Sequence, residues 1–400
     1  MPDNQAEGNQ PFAGLVVLDF TQVIAGPLAT QLLANSGATV IKVEPFSGDQ
    51  LRAMLKTDKQ PHAEDSPSFS AVNRSKRSIA IDLKSEKGLQ AILRIAEQCD
   101  VLFENFRPGV AERLGIGYEA IQAIRKDIIY CSISGFGQSG PQAAQPAYDG
   151  GIQAASGMMS TTGHPETGPV RTGFLCVDVP TALHSAYAVS TALLRRERTG
   201  LGQRIDVSML DTALLMQVSA VTKQLHDGTP GQLAGNASPA KSPVANTFQT
   251  ADGYITVSAV TEPHIKAILA VLELPSDFYR EYMDNETGSI AHRTIGQTIS
   301  EAFQRQRTAH WQTKLAAARV SVQRVNTVAD ALNIASTQQR PIVEQATGAS
   351  LGATFDTNVD GPYADGLAPE IGQQTREVLS EFGFSDLEIG ELQASSAIAK

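Results

Sequence analysis

The segment from Gly14 to Val43 constrains the fold more than any other. Residues 14–20 (GLVVLDF) form an apolar run of strand length. Gly26-Pro27 then opens a helix through Ala34, with proline at the first helical position, where its missing N–H costs nothing. Gly37 ends that helix, and residues 38–43 (ATVIKV) read as a second buried strand. Strand, helix and strand within about 30 residues make a βαβ unit, which requires parallel strands. The pattern continues with a strand at 78–83, a helix at 86–98, a strand at 100–106, a helix at 118–125 and a strand at 127–134. An α/β protein is predicted, its mainly parallel sheet covered by helices on both faces.

Farther along, Leu183, Ala186, Val189 and Leu193 recur at helical spacing in the stretch 179–198, which Thr199-Gly200-Leu201-Gly202 stops before a strand at 204–209. Residues 227–242 are dense in Gly, Pro, Ala and Ser and mark a linker. Beyond it, strands at 247–250 and 254–260 flank Ala251-Asp252-Gly253 as a hairpin, and helices are expected at 263–272, 294–318, 375–382 and 385–395. The organisation drawn from this is a large domain at 11–222, a linker at 223–245, a small α+β domain at 246–335, and a return segment at 336–400 whose helices pack on the large domain. No internal repeat is present.

Composition narrows the class. Apolar residues make up 42% and charged residues 18%, which excludes wholesale disorder, and no apolar run approaches the roughly 18 residues of a membrane span. The net charge of −10 argues against nucleic acid or an anionic membrane as a general partner. The three cysteines, Cys99, Cys131 and Cys176, have no CxxC spacing and read as reduced thiols. The polar, acidic start (Met1 to Gln10) does not read as a targeting peptide, so a cytoplasmic protein is expected.

Few motifs carry chemistry. Gly135 to Gly140 (GFGQSG) matches GxGxxG after a strand, but Pro141 and Pro146 disrupt the helix a dinucleotide site needs. Gly348 to Gly352 (GASLG) matches the hydrolase elbow GxSxG, yet no histidine follows it, since the last is His310. There is no HExxH, P-loop or acidic metal cluster, so no metal site is expected. Asp178 stands apart. It directly precedes the long helix, with Pro180 in the first turn. As an N-cap it would be held ionised at neutral pH by the helix dipole and free N–H groups; as a partly desolvated carboxylate it could attack an activated acyl group.

Several segments, in order, carry a resemblance: Leu18 to Thr21 with Ala25-Gly26-Pro27, residues 37–44 (GATVIKVE), 73–78 (NRSKRS), 100–109 (DVLFENFRPG), 134–141 (SGFGQSGP), 198–203 (RTGLGQ) with Asp206-Val207-Ser208, and Glu377 to Gly383. Together they resemble the class III CoA-transferases, the superfamily of carnitine and formyl-CoA transferases and α-methylacyl-CoA racemase. The resemblance implies a Rossmann-like large domain and an interlocked homodimer whose site lies between the large domain of one chain and the small domain of its partner. It puts Asp178 at the catalytic aspartate, with helix capping as a compatible second role, and implies acyl transfer through an aspartyl anhydride and an aspartyl-CoA thioester. No prosthetic group is needed. CoA or acyl-CoA is substrate, with a small carboxylic acid as acceptor and succinyl-CoA as the favoured donor.

Carried over as CoA contacts are Ile24, Ala25, Leu83, Lys84, Asn105, Phe106, Arg107, Arg113 and Tyr148. Lys and Arg suit the phosphates of CoA, and an apolar face suits adenine. Arg74, Lys76 and Arg77 form a basic run from which a phosphate contact is expected. The departures are informative. Ala182 stands where the family often has glycine, implying a narrower acyl site. The tetraglycine loop of formyl-CoA transferases is missing, which speaks against formate and oxalate. Tyr148 in Ala147-Tyr148-Asp149-Gly150 occupies the position of the racemase histidine, which favours transfer over racemisation. An acyl-CoA racemase and a non-catalytic CoA-binding protein remain the alternatives.

Overall fold

The computed structural model describes residues 10–54, 66–238, 242–286, 289–344, 351–363 and 366–399. Met1 to Asn9 and Gly348 to Ser350 of the GxSxG match lie outside the described residues, as do residues 239–241 of the linker. Contacts divide the chain into two units. The first takes the chain up to Met158, Thr172–Thr229 and everything from Ala335 onward; the second takes Met159–Arg171 and Pro230–Ile334.

The first unit is built on β1 (Val16–Asp19), β2 (Thr39–Glu44), β3 (Arg77–Ala80), β4 (Val101–Glu104), β5 (Ile129–Ser134) and β6 (Gln203–Ser208), in the order β3-β2-β1-β4-β5-β6. Every pairing is parallel, with Leu18 beside both Ile41 and Leu102. Parallel strands need crossovers, and the amphipathic stretches of the sequence supply them: α1 (Ala25–Ala34), α2 (Glu86–Ala96) and α3 (Tyr118–Ile124), then α4 (Asp149–Ala155) and α5 (Asp178–Thr199). Successive strand residues point to opposite faces, so the sheet has two cores. On one face Leu18, Ile41, Leu102 and Tyr130 pack under α2 and α3. On the other, Val17, Val40, Val101, Phe103 and Ile133 pack under α1 and α5. Each such side chain, fully buried, contributes about 1.5–3 kcal/mol.

The end of the chain closes the first face. There α9 (Thr375–Glu381) and α10 (Asp386–Ala394) insert Val378, Leu379, Ile389 and Leu392 into the core, and Ile398 bridges to Ile81. A capping box between Ser385 and Glu388 starts α10.

The second unit holds an antiparallel sheet of β7 (Thr247–Thr250), β8 (Gly253–Ser258) and β9 (Ser321–Arg324) with its own core, together with α6 (Glu262–Val271), α7 (Ile290–Gln304) and α8 (Thr308–Ala317). The helix expected at 294–318 is thus two helices. The break has a local cause: the Asp252 carboxylate in the hairpin turn accepts the N–H (2.8 Å) and hydroxyl (2.9 Å) of Thr308, and the Ala251 N–H donates to the Gln306 carbonyl at 3.0 Å. No described helix is long and apolar enough to cross a membrane.

Candidate active site

In a parallel sheet of this order the connections reverse direction between β1 and β4, leaving a crevice beyond the carboxyl ends of those strands. A cavity of about 280 Å³ lies there. Gln22–Ala25 leave β1 into it, Asn105–Pro108 leave β4, Ile133–Gly135 end β5, and Met209 follows β6; Tyr148 and Asp178 are among the other residues of the wall. Of the residues singled out from the sequence, Ile24, Ala25, Asn105, Phe106, Arg107, Tyr148 and Asp178 therefore meet around one space. Leu83, Lys84 and Arg113 do not line it. Leu83 packs against the core under α2, while Lys84 and Arg113 are exposed and make no ion pair among the described residues.

The basic run is a correction. Lys76 is fully buried and donates to Asp19 Oδ2 (3.0 Å), the Pro27 carbonyl, Thr30 Oγ1 and Asn73 Oδ1. Arg74 is buried and donates to the carbonyls of Gly366 and Leu351. Arg77 pairs with Glu377 and Glu381. All three cations are turned to the protein itself. Ala182 is also corrected: it lies on the buried face of α5, in the core, and does not border the cavity. The GxGxxG loop fails as a phosphate cradle as expected, since the next helix, α4, begins only at Asp149.

Asp178 is the first residue of α5, half-buried, and its carboxylate accepts no hydrogen bond among the described residues. The expected capping role belongs to a different residue. Asp149, buried in the first turn of α4, accepts the N–H of Val177 (2.8 Å) and of Asp178 (3.0 Å) on Oδ2, while Gln153 Nε2 donates to its Oδ1 at 2.6 Å. Sequence reading passed over Asp149 because its target N–H groups lie a helix away; the signal was an acid beside Tyr148 with a glutamine one turn on. The Asp178 side chain makes no cap of its own and is not held ionised. Burial, and then the negative charge of Asp149, push its carboxyl up to about 7.

A second perturbed acid lies under the wall. Glu104, at the end of β4, is buried and makes no ion pair among the described residues, and its Oε2 accepts the Phe106 N–H at 2.9 Å. Burial raises it to about 7, with the Glu112 charge adding, against the Phe106 N–H, the nearby Ser132 hydroxyl and the charge of Arg204. The turn carrying Asn105, Phe106 and Arg107 is thereby fixed from below.

These features define a parallel α/β protein with an acid-bearing cavity at its topological switch point. The chain matches the model of CoA-transferase family III over residues 12–375. It is 34% identical over 385 residues to acetyl-CoA:oxalate CoA-transferase of Acetobacter aceti, covering 94% of this chain and 97% of that one. Against succinyl-CoA:glutarate CoA-transferase of Homo sapiens it is 32% identical over 416 residues, covering 99% and 92%. A crystal structure of a CaiB/BaiF family protein from Brucella suis superposes with a TM-score of 0.83 at 29% identity, covering 94% of this chain and all of that one. The chain belongs to CoA-transferase family III and is an enzyme of that class.

Proposed function

We propose that this enzyme moves CoA from an acyl-CoA donor, succinyl-CoA in particular, to a small carboxylic acid through covalent intermediates on Asp178. The observation that carries this reading is the Asp178 carboxylate itself, half-buried in the cavity, accepting no hydrogen bond among the described residues and poised near neutrality. An acid with these properties is a competent nucleophile once deprotonated. Its carboxylate attacks the donor thioester carbonyl, the C–S bond breaks, and CoA leaves as thiolate with a mixed anhydride behind it. The thiolate then attacks the aspartyl carbonyl of the anhydride, expelling the donor acid and leaving an aspartyl-CoA thioester. The acceptor carboxylate attacks that thioester, releasing the thiolate and forming a second anhydride. Attack of the thiolate on its acceptor carbonyl yields the new acyl-CoA and frees Asp178.

Ile24, Ala25, Asn105, Phe106, Arg107 and Tyr148 are proposed to hold the CoA arm at this cavity, and Leu83, Lys84 and Arg113 to meet its nucleotide end outside it. The acceptor set includes the acids named for the relatives, glutarate and oxalate, so the missing tetraglycine loop does not remove oxalate from the panel. A cytoplasmic homodimer is part of the same reading. Its support is a stripe of exposed apolar residues on α5, Val179, Leu183, Tyr187 and Leu194, of a kind that subunit contact buries.

The experiment is to incubate the protein with succinyl-CoA and a panel of dicarboxylic acids and to follow new CoA thioesters. CoA exchange supports transfer. Loss of α-hydrogen to deuterated solvent without exchange would mark a racemase, and tight CoA binding with neither would mark a binding protein.

A further inference from the structure

The β1–α1 turn that forms one wall of the cavity contains a strained residue. Val23 has φ +69°, in the left-handed region that a β-branched side chain rarely enters. Such backbone persists only where the surroundings over-determine it. Here they do, on both sides of Val23. The Gln22 peptide is pinned by Asn105, whose Oδ1 accepts the Gln22 N–H (2.9 Å) and whose Nδ2 donates to the Gln22 carbonyl (2.8 Å). The Val23 N–H itself donates to Asp49 Oδ1 at 3.1 Å.

Asp49 is in turn immobilised. Its Oδ1 accepts the Leu51 N–H (2.9 Å), and its backbone N–H donates to Glu44 Oε2 (2.9 Å), which Arg52 also holds. Its Oδ2 accepts from Lys42 Nζ at 2.9 Å, and the same ammonium donates to the Thr21 carbonyl, also at 2.9 Å. Lys42 and Asp49 are both fully excluded from solvent. A buried ion pair of this kind fixes geometry more reliably than it adds stability. Its two free contacts, to the Thr21 carbonyl and the Val23 N–H, bracket the turn.

We propose that Asp49 is a positioning residue of the cavity: backed by Lys42, it holds Val23 in left-handed backbone, and that strained residue sets where Gln22, Ile24 and Ala25 meet the ligand. This rests on the reading of the cavity as the CoA site. Without the Asp49 acceptor, Val23 relaxes toward negative φ, and the binding-competent turn becomes a minor state whose population scales the observed affinity. Glycine adopts φ +69° without strain, so it removes the need for the clamp.

The test is a double-mutant cycle read by calorimetric binding of free CoA to the full chain. In the Val23 background, Asp49→Ala is expected to weaken CoA about tenfold, a loss in the range that one strained residue supports. In the Val23→Gly background the same change is expected to cost less than about threefold. That rescue cannot come from packing, because the glycine deletes Val23's contacts with the Ile24, Leu51 and Phe69 cluster. If Asp49→Ala does not fold, Lys42→Met/Asp49→Leu, which leaves no buried charge unpaired, takes its place in both backgrounds. Equal weakening in the two backgrounds, or none in either, overturns the clamp while leaving the CoA site standing. Failure of the unsubstituted chain to bind CoA overturns the site reading and the clamp with it.

Discussion

Asp149 caps the helix that begins with Asp178: one carboxylate oxygen takes the N–H groups of Val177 and Asp178, at 2.8 and 3.0 Å, from a position 29 residues upstream. The cap on this helix is thus made by Asp149 and not by the Asp178 side chain, and it sets a like charge beside Asp178. Burial first, and then that like charge, leave Asp178 a carboxyl that exchanges its proton close to neutral pH.

The pH dependence follows. Below about 7 Asp178 is mostly protonated and cannot attack; above it the carboxylate predominates. The value of kcat/KM for the acyl-CoA is expected to rise with a single acid limb near pH 7, reporting the free enzyme. A profile flat between pH 5 and 8 would remove Asp178 as the group that must lose a proton.

Asp149→Asn retains an acceptor for the two N–H groups but deletes the negative charge. The acid limb is expected to move to lower pH, with a modest loss of rate. Asp149→Ala also removes the cap, leaving buried donors unpaired at a cost of about 1–3 kcal/mol. Its rate is expected to fall by about 100-fold, as for a reacting group displaced by an ångström. The two variants are told apart by their pH profiles; an unshifted limb in Asp149→Asn would separate the two acids functionally.

Glu104 makes a prediction about stability. Its carboxyl is raised from 4.5 to about 7 in the folded state, so its contribution is complete below pH 4.5 and is lost as pH rises through 7. Glu104→Gln keeps an acceptor for the Phe106 N–H and carries no charge to bury. It is expected to raise Tm at pH 8 by a few degrees, on the order of 1–3 kcal/mol, and to change little at pH 4. A lower Tm at pH 8 would mean that the ionised acid has a partner that offsets its burial.

Lys76 and Asp19 are a buried pair. Burial works to raise Asp19, but Lys76, Lys42 and the hydroxyls of Thr21 and Thr30 prevail and bring it to about 2. The stability this represents is present above pH 3.8 and is lost as pH falls toward 2. Lys76→Met leaves Asp19 buried beside Lys42 alone and is expected to cost about 3–5 kcal/mol in urea unfolding, with much of it recovered in Lys76→Met/Asp19→Leu. Recovery of nothing would show that Lys76 acts through its other acceptors, Pro27, Thr30 and Asn73.

The sheet was legible because local pattern and tertiary role coincide: Gly14 to Val43 folds as a βαβ unit, and Asp178 opens the long helix as its position before Pro180 implies. The hairpin at Ala251 to Gly253 was equally local. What sequence reading missed is set by partners distant in the chain. Arg74, Lys76 and Arg77 look like a surface run, yet each faces an acceptor far away, in β1, α1 or the return of the chain. Asp149 and Asp49 act through backbone N–H groups that leave no trace in residue type, and the helix at 294–318 breaks because Asp252 captures Thr308.

The central claim is that Asp178 carries the transferred group. The most direct measurement is intact mass and peptide mapping of the protein quenched during turnover with succinyl-CoA and glutarate. A CoA thioester or acyl adduct is expected on the peptide containing Asp178, absent from Asp178→Asn, which is expected to be inactive. Transfer undiminished in Asp178→Asn, or an adduct on another residue, would contradict the account.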